Sequence, residues 1–107
     1  MEQATTERMV KLQRMLEKTP QDPFLLYGIG LEYKKAGDAK RAVEYLDKVI
    51  AVDPGYCYAY HQRGLVYEST GDIESARRSY REGMEAARKK GDSHAYGEIE
   101  AALQMVG

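Results

Sequence analysis

Cys57 and His61 stand four residues apart, one turn of a helix. A thiol beside an imidazole is the least a cysteine nucleophile requires. The chemistry also needs the imidazole aimed at the sulfur, and nothing in the sequence aims His61 there. A buried or half-buried inert thiol is the plainer reading of Cys57. His94 is the only other histidine, too few for a histidine-rich metal site. The chain has no Cys-x2-Cys, phosphate loop or nucleophile elbow. Gly28-Ile29-Gly30 is a Gly-x-Gly fragment, but it sits within helical periodicity rather than after a strand, so a dinucleotide cradle fails. The carboxylates are spread without an identifiable acid/base pair. The residues therefore predict no enzyme, no cofactor and no metal.

Charge gives a second candidate chemistry. Arg77, Arg78, Arg81, Arg88, Lys89 and Lys90 gather in one stretch that could meet phosphate or an acidic partner. Glu74, Glu82 and Glu85 are interleaved at spacings that allow pairing across a helical turn. The formal net charge is −1, so a self-neutralising, solvated face is expected and no nucleic acid. No apolar run approaches the roughly 20 residues that span a bilayer. Glu7, Arg8, Lys11 and Arg14 among the first residues do not make a secretory signal. A single cysteine excludes an internal disulfide, and a cytoplasmic chain is expected with no membrane partner.

The elements that position these residues are set by a repeat. Gly37-Asp38 and Gly71-Asp72 lie 34 residues apart (71 − 37 = 34). Gly30 with Gly64, Leu31 with Leu65, Tyr33 with Tyr67 and Ala42 with Ala76 share that offset. A common period of this length marks a solenoid of helix pairs. Asp22-Pro23 is an N-cap followed by proline at the first helical position. Leu26, Ile29, Gly30 and Tyr33 then share a face, and Gly37 stops the helix. Ala42, Val43, Leu46, Val49 and Ile50 form the next stripe, closed by Asp53-Pro54-Gly55.

The unit recurs over 57–90, with Tyr60, Gly64 and Tyr67, then Ala76, Tyr80, Met84 and Ala87. Tyr96, Ile99, Leu103 and Val106 continue at helical spacing. Pro20, Leu12 and Leu16 precede Pro54, Leu46 and Ile50 by the same 34 (54 − 20 = 34). One all-α domain is predicted: a half repeat over 5–19, full repeats over 23–56 and 57–90, and a terminal capping helix over 92–106.

These positions resemble the tetratricopeptide repeat (TPR) pattern, Trp-x2-Leu-Gly-x2-Tyr, then Ala, an aromatic and Pro. The first repeat reads Leu26, Ile29-Gly30, Tyr33, Ala42, Leu46 and Pro54; the second reads Tyr60, Arg63-Gly64, Tyr67, Ala76 and Tyr80. The resemblance implies a right-handed superhelical stack of about six helices in antiparallel pairs. Three departures stand out. Arg63 replaces an aliphatic residue, so its stem must pack while its charge reaches water or an acid. Gly83 replaces a small alanine, weakening the helix by about 1 kcal/mol. Arg88 replaces the terminal proline, so that helix is expected to run on to Lys90.

The resemblance also implies that the first helix of each pair lines a concave groove. Off the packing stripe these helices carry Phe24, Tyr27, Leu31, Lys34 and Lys35, then Tyr58, His61, Gln62, Leu65 and Glu68. Phe24 with Tyr58, Tyr27 with His61, and Leu31 with Leu65 are periodic equivalents. The expected peptide-binding groove is Phe24, Tyr27, Leu31, Lys34, Tyr58, His61, Gln62 and Leu65. Its expected partner is a protein or peptide segment with apolar anchors. The alternatives are that the terminal helix covers these residues, or that the chain self-associates into a homo-oligomer. Some family members clamp a chaperone tail ending in Glu-Glu-Val-Asp with lysine, arginine and asparagine. Those positions fall here on Tyr27, Leu31 and Gln62 and, in strict register, on Asp92 and Tyr96, so the clamp is absent.

Overall fold

The computed structural model describes residues 6–106. Their regular elements are six helices: α1 (Glu7–Lys18), α2 (Pro23–Lys35), α3 (Ala39–Val52), α4 (Cys57–Ser69), α5 (Ile73–Lys90) and α6 (Ser93–Met105). Residue 5, the expected start of the first segment, lies outside the described residues. Each helix packs against the next in chain order, and α6 also reaches α4.

The Gly-Asp pairs do two jobs at once. Gly37 and Gly71 adopt φ of 81° and 82°, the left-handed region that favours glycine. That turn lets the Asp38 N–H donate back to Tyr33 O and the Asp72 N–H to Tyr67 O, both at 3.0 Å, closing the finished helix. The same aspartates then open the next helix: Asp38 accepts from Arg41 N–H and Asp72 from Ser75 N–H. Asp92 repeats the device after Gly91, accepting from Ala95 N–H at 3.0 Å. Asp22 caps α2 with Pro23 in its first turn. α4 alone starts without a side-chain cap; Pro54 and Gly55 in the preceding turn set its entry. As expected from Arg88, α5 runs to Lys90.

Three apolar clusters follow from the stripes. Met9 and Leu12 of α1 meet Leu25 and Ile29 of α2. Leu26 joins Ala42, Leu46 and Val49 of α3 with Ala59 and Val66 of α4. Cys57, Ala76, Tyr80 and Ala87 pack with Ala95 and Ile99 of α6. Each first helix is thus clasped between the helix before it and the helix after it.

Two polar or small residues here, Glu32 and Gly83, differ from their sequence reading, and Arg63 bears its reading out. Glu32 is buried, unforeseen by the stripe, and accepts from Thr6 Oγ1 at 3.2 Å and Arg8 Nε at 3.0 Å, tying α1 to α2. Arg63 finds its acids: its guanidinium donates to Asp47 at 2.8 Å, to Glu82, and to the buried Ser79 hydroxyl at 2.9 Å. It bridges α3, α4 and α5 where the repeat pattern would place an aliphatic contact. Gly83 is a contact point and not merely a weak helix position. A Cβ there would lie 2.8 Å from Tyr60 Cβ and 3.1 Å from Ile99 Cδ1, so its absence lets α4, α5 and α6 converge.

Candidate peptide-binding groove

The candidate groove residues sit on α2 and α4, and two of them, Tyr27 and Tyr58, also pack against the core clusters. Phe24 is 67% exposed at the start of α2. Tyr27, Leu31, Lys34, Tyr58, His61, Gln62 and Leu65 are all half-buried. The Tyr27 ring lies 4.9 Å from that of Tyr56, tilted by 37°. Desolvation, with Tyr56 and Tyr58 nearby, pushes the Tyr27 phenol up to about 12, so it stays a neutral donor at physiological pH. Lys34 Nζ donates to Gln62 Oε1 at 2.6 Å, joining α2 to α4 across the face. The bond thus links two of the expected groove residues to each other.

His61 occupies the centre. Its ring lies 6.4 Å from Tyr58, nearly parallel, and 6.0 Å from Tyr80, edge-on. Burial lowers its pKa below the ordinary histidine value, opposed by Glu98. The thiol of Cys57 turns elsewhere and donates to Gly55 O at 3.4 Å, with its pKa raised by burial. Thiol and imidazole thus have separate partners, and the structure supplies no activated nucleophile from them. Tyr80 sends its hydroxyl through to Glu68, which the groove reading had left open to a ligand. Among the described residues, no three His, Cys, Asp or Glu side chains gather to hold a metal ion. No described helix is long and apolar enough to cross a membrane.

The basic residues of α5 divide as their interleaving suggested. Arg77 pairs with Glu74 at 3.1 Å and Arg88 with Glu85. Glu82 departs from that scheme, because Arg63 takes it across the helix interface.

A model of the tetratricopeptide repeat matches residues 25–56 and 58–90. The chain belongs to the tetratricopeptide repeat family. It is 33% identical over 95 residues to a TPR repeat-containing protein of Pseudomonas aeruginosa, covering 89% of this chain and 90% of that one. A tetratricopeptide repeat domain protein from Salinibacter ruber superposes with a TM-score of 0.72 at 29% identity, over 79% of this chain and 94% of that one. PcrH, solved in complex with the chaperone binding region of PopD, shares the fold, with a TM-score of 0.81 at 14% identity over 89% of this chain and 72% of that one.

The TPR frame shifts at its last element. α4 starts at Cys57 and α6 at Ser93, an offset of 36 (93 − 57 = 36), because α5 runs four residues past strict register (90 against 52 + 34 = 86) and the linker after it is two residues shorter. Ala59 and Ala95 are accordingly both fully buried against the helix before them. The groove face of α6 is therefore His94, Gly97, Glu98 and Ala101. The clamp positions assigned by strict register to Asp92 and Tyr96 move to His94 and Glu98. Glu98 is a carboxylate, so the shift removes any remaining likeness to a carboxylate clamp. Glu98 is also the groove residue that sequence reasoning missed. It lies 3.3 Å from His94 Nε2, and its charge acts on Tyr58 and His61. The missing proline at Arg88 was the one signal that could have revealed the shift.

Proposed function

We propose that this TPR chain is a cytoplasmic adaptor that docks a protein or peptide segment along the α2–α4–α6 face. One observation carries the reading: Phe24 with Tyr58, Tyr27 with His61 and Leu31 with Leu65 recur at equivalent places and stay exposed or half-buried. Aromatic anchors offer large contact area with few rotamers to freeze. The same fold in PcrH holds a segment of PopD, which supports a segment as the ligand. The Lys34–Gln62 bond pre-organises the face, lowering the ordering cost of binding.

The test is selection of binding peptides from a displayed random library, followed by amide-shift mapping on the whole chain. Shifts centred on Phe24, Tyr27, Leu31 and Leu65 are expected. Tyr27→Ala with Tyr58→Ala should weaken the selected peptides by on the order of 2 kcal/mol per anchor while leaving helicity intact. Shifts confined to the α5 basic face, with binding lost on charge reversal of Arg77, Arg78 and Arg81, would refute the groove. Self-association is the second reading, favoured by the exposed Val10 and Met15 on α1. Sedimentation across a concentration series separates the two.

A further inference from the structure

We propose that the groove selects a basic segment, with a lysine or arginine of the docked chain lying over Gly97 and its charge against Glu98. The inference rests on the groove reading above and names the chemistry of its occupant.

Shape comes first. Tyr27, His61 and Gly97 occupy equivalent places on successive helices (61 − 27 = 34; 97 − 61 = 36). The side chain shrinks from a phenol to an imidazole to nothing. A Cβ built on Gly97 would meet no atom within 4 Å. Two rungs of the ladder carry rings and the third is an open floor. An incoming side chain can lie there against backbone.

Charge follows. Glu98 borders that floor with its side chain 46% exposed. The carboxylate has His94 Nε2 at 3.3 Å on one side, and its charge reaches Tyr58 on the other. A carboxylate offers about four lone-pair sites, so capacity remains for an ammonium or guanidinium. The Tyr58 and His61 rings, their planes 28° apart, both feel the Glu98 charge, which puts aromatic faces near the carboxylate. Such faces favour the stem and charge of a long cationic side chain. Glu68 and Glu98 both act electrostatically on His61, and Lys34 is the opposing cation there. Lys34 keeps its charge in its bond to the neutral Gln62, but the two carboxylates outnumber it. The α4–α6 half of the groove is thus net acidic. It attracts a cation and repels an acidic peptide.

The peptides selected above test this directly. Lysine or arginine should be enriched at one position beside apolar anchors. Glu98→Gln keeps the side chain's size and an acceptor oxygen but removes the charge, and should weaken those peptides about tenfold. Gly97→Leu fills the open floor. It has no neighbour to clash with and gains helix propensity, so it should raise the melting temperature and yet abolish the preference for a cation. Glu98→Lys should turn selection toward aspartate or glutamate. Peptides that shift the groove amides yet show no basic enrichment, or bind Glu98→Gln as tightly, would overturn the cation subsite and leave the groove standing. Peptides that leave the groove amides unmoved would overturn both.

Discussion

The ring of Tyr80 fills the space where Gly64 would carry a side chain. A Cβ at Gly64 would lie 2.6 Å from Tyr80 Cδ1 and 2.7 Å from Cζ, and Tyr80 is fully buried. The periodic equivalent Gly30 is less tight, with its Cβ position 3.3 Å from the side chain of Leu46. Two glycines that the repeat makes equal are therefore graded by their neighbours. Gly64→Ala is expected to cost at least the roughly 1–3 kcal/mol of ordinary overpacking. Gly30→Ala should be close to neutral, since a gain of about 1 kcal/mol in helix propensity offsets a small adjustment of Leu46. Urea midpoints of the two variants decide it. Equal midpoints would show that α5 can withdraw from α4 at no cost.

Arg63 should tolerate an aliphatic side chain better than truncation. Its guanidinium sits 5.6 Å over the Tyr60 ring, and its stem occupies the row that Ile29 fills in the first repeat. Asp47 and Glu82 are about half exposed and can return to water once unpaired. Arg63→Ala loses both the pairing and the packed stem, for an expected cost of about 2–4 kcal/mol. Arg63→Leu restores the stem and leaves chiefly Ser79 without its donor, for about 1 kcal/mol. Thermal melts that place the leucine variant below the alanine variant would refute this ranking.

Removing residues 92–107 should destabilise the second repeat and promote association. Ile99 and Ala95 are fully buried, and their loss uncovers Tyr80, Gly83 and Ala87 on α5. Uncovering one large side chain costs about 1.5–3 kcal/mol. Amide exchange should accelerate in α4 and α5 more than in α1 and α2, because stability in a stack is passed between neighbours. A truncated chain that stays monomeric with unchanged exchange would show that α6 does not seal this end.

His61 should make the fold less stable in mild acid. The groups facing it are Tyr58 and Glu68 on α4, Lys34 on α2, Tyr80 on α5 and Glu98 on α6. Burial lowers its folded pKa below the ordinary value of 6.5, so the unfolded chain takes up the proton first as pH falls. Stability is then full above that ordinary value and declines as pH drops from it toward the folded pKa. The melting temperature should fall between about pH 7.5 and about pH 5.5. His61→Gln should lessen that fall. An unchanged pH slope in the variant would assign the effect to other groups.

Much of this molecule is legible in its sequence, because the fold is built from local signals. Asp22-Pro23, Gly37-Asp38, Gly71-Asp72 and Gly91-Asp92 set helix starts and stops through bonds to residues at most a few positions away. Stripes such as Ala42, Leu46 and Val49 need only helical geometry to share a face. A single 34-residue offset then stacks the pairs. The groove positions on α2 and α4 follow from the same geometry, since they are what the stripes leave out.

What the sequence could not decide depends on residues far apart in the chain. Glu32 reads as a surface carboxylate until Thr6 and Arg8 of α1 fold over it. Gly83 reads as a worn alanine until Tyr60 and Ile99 arrive from either side. Lys34 and Gln62 read as separate groove residues until Gln62, 28 residues on, accepts a hydrogen bond from the ammonium. The two-residue slip of α6, which brings Glu98 and Gly97 into the groove, is set by where α5 ends and how α6 packs upon it. Sequence alone determined the helices, their pairing and the face left over, because those obey one period. Tertiary packing alone decided which polar groups are buried and which charge meets a ligand, because burial and pairing depend on neighbours that no local spacing specifies.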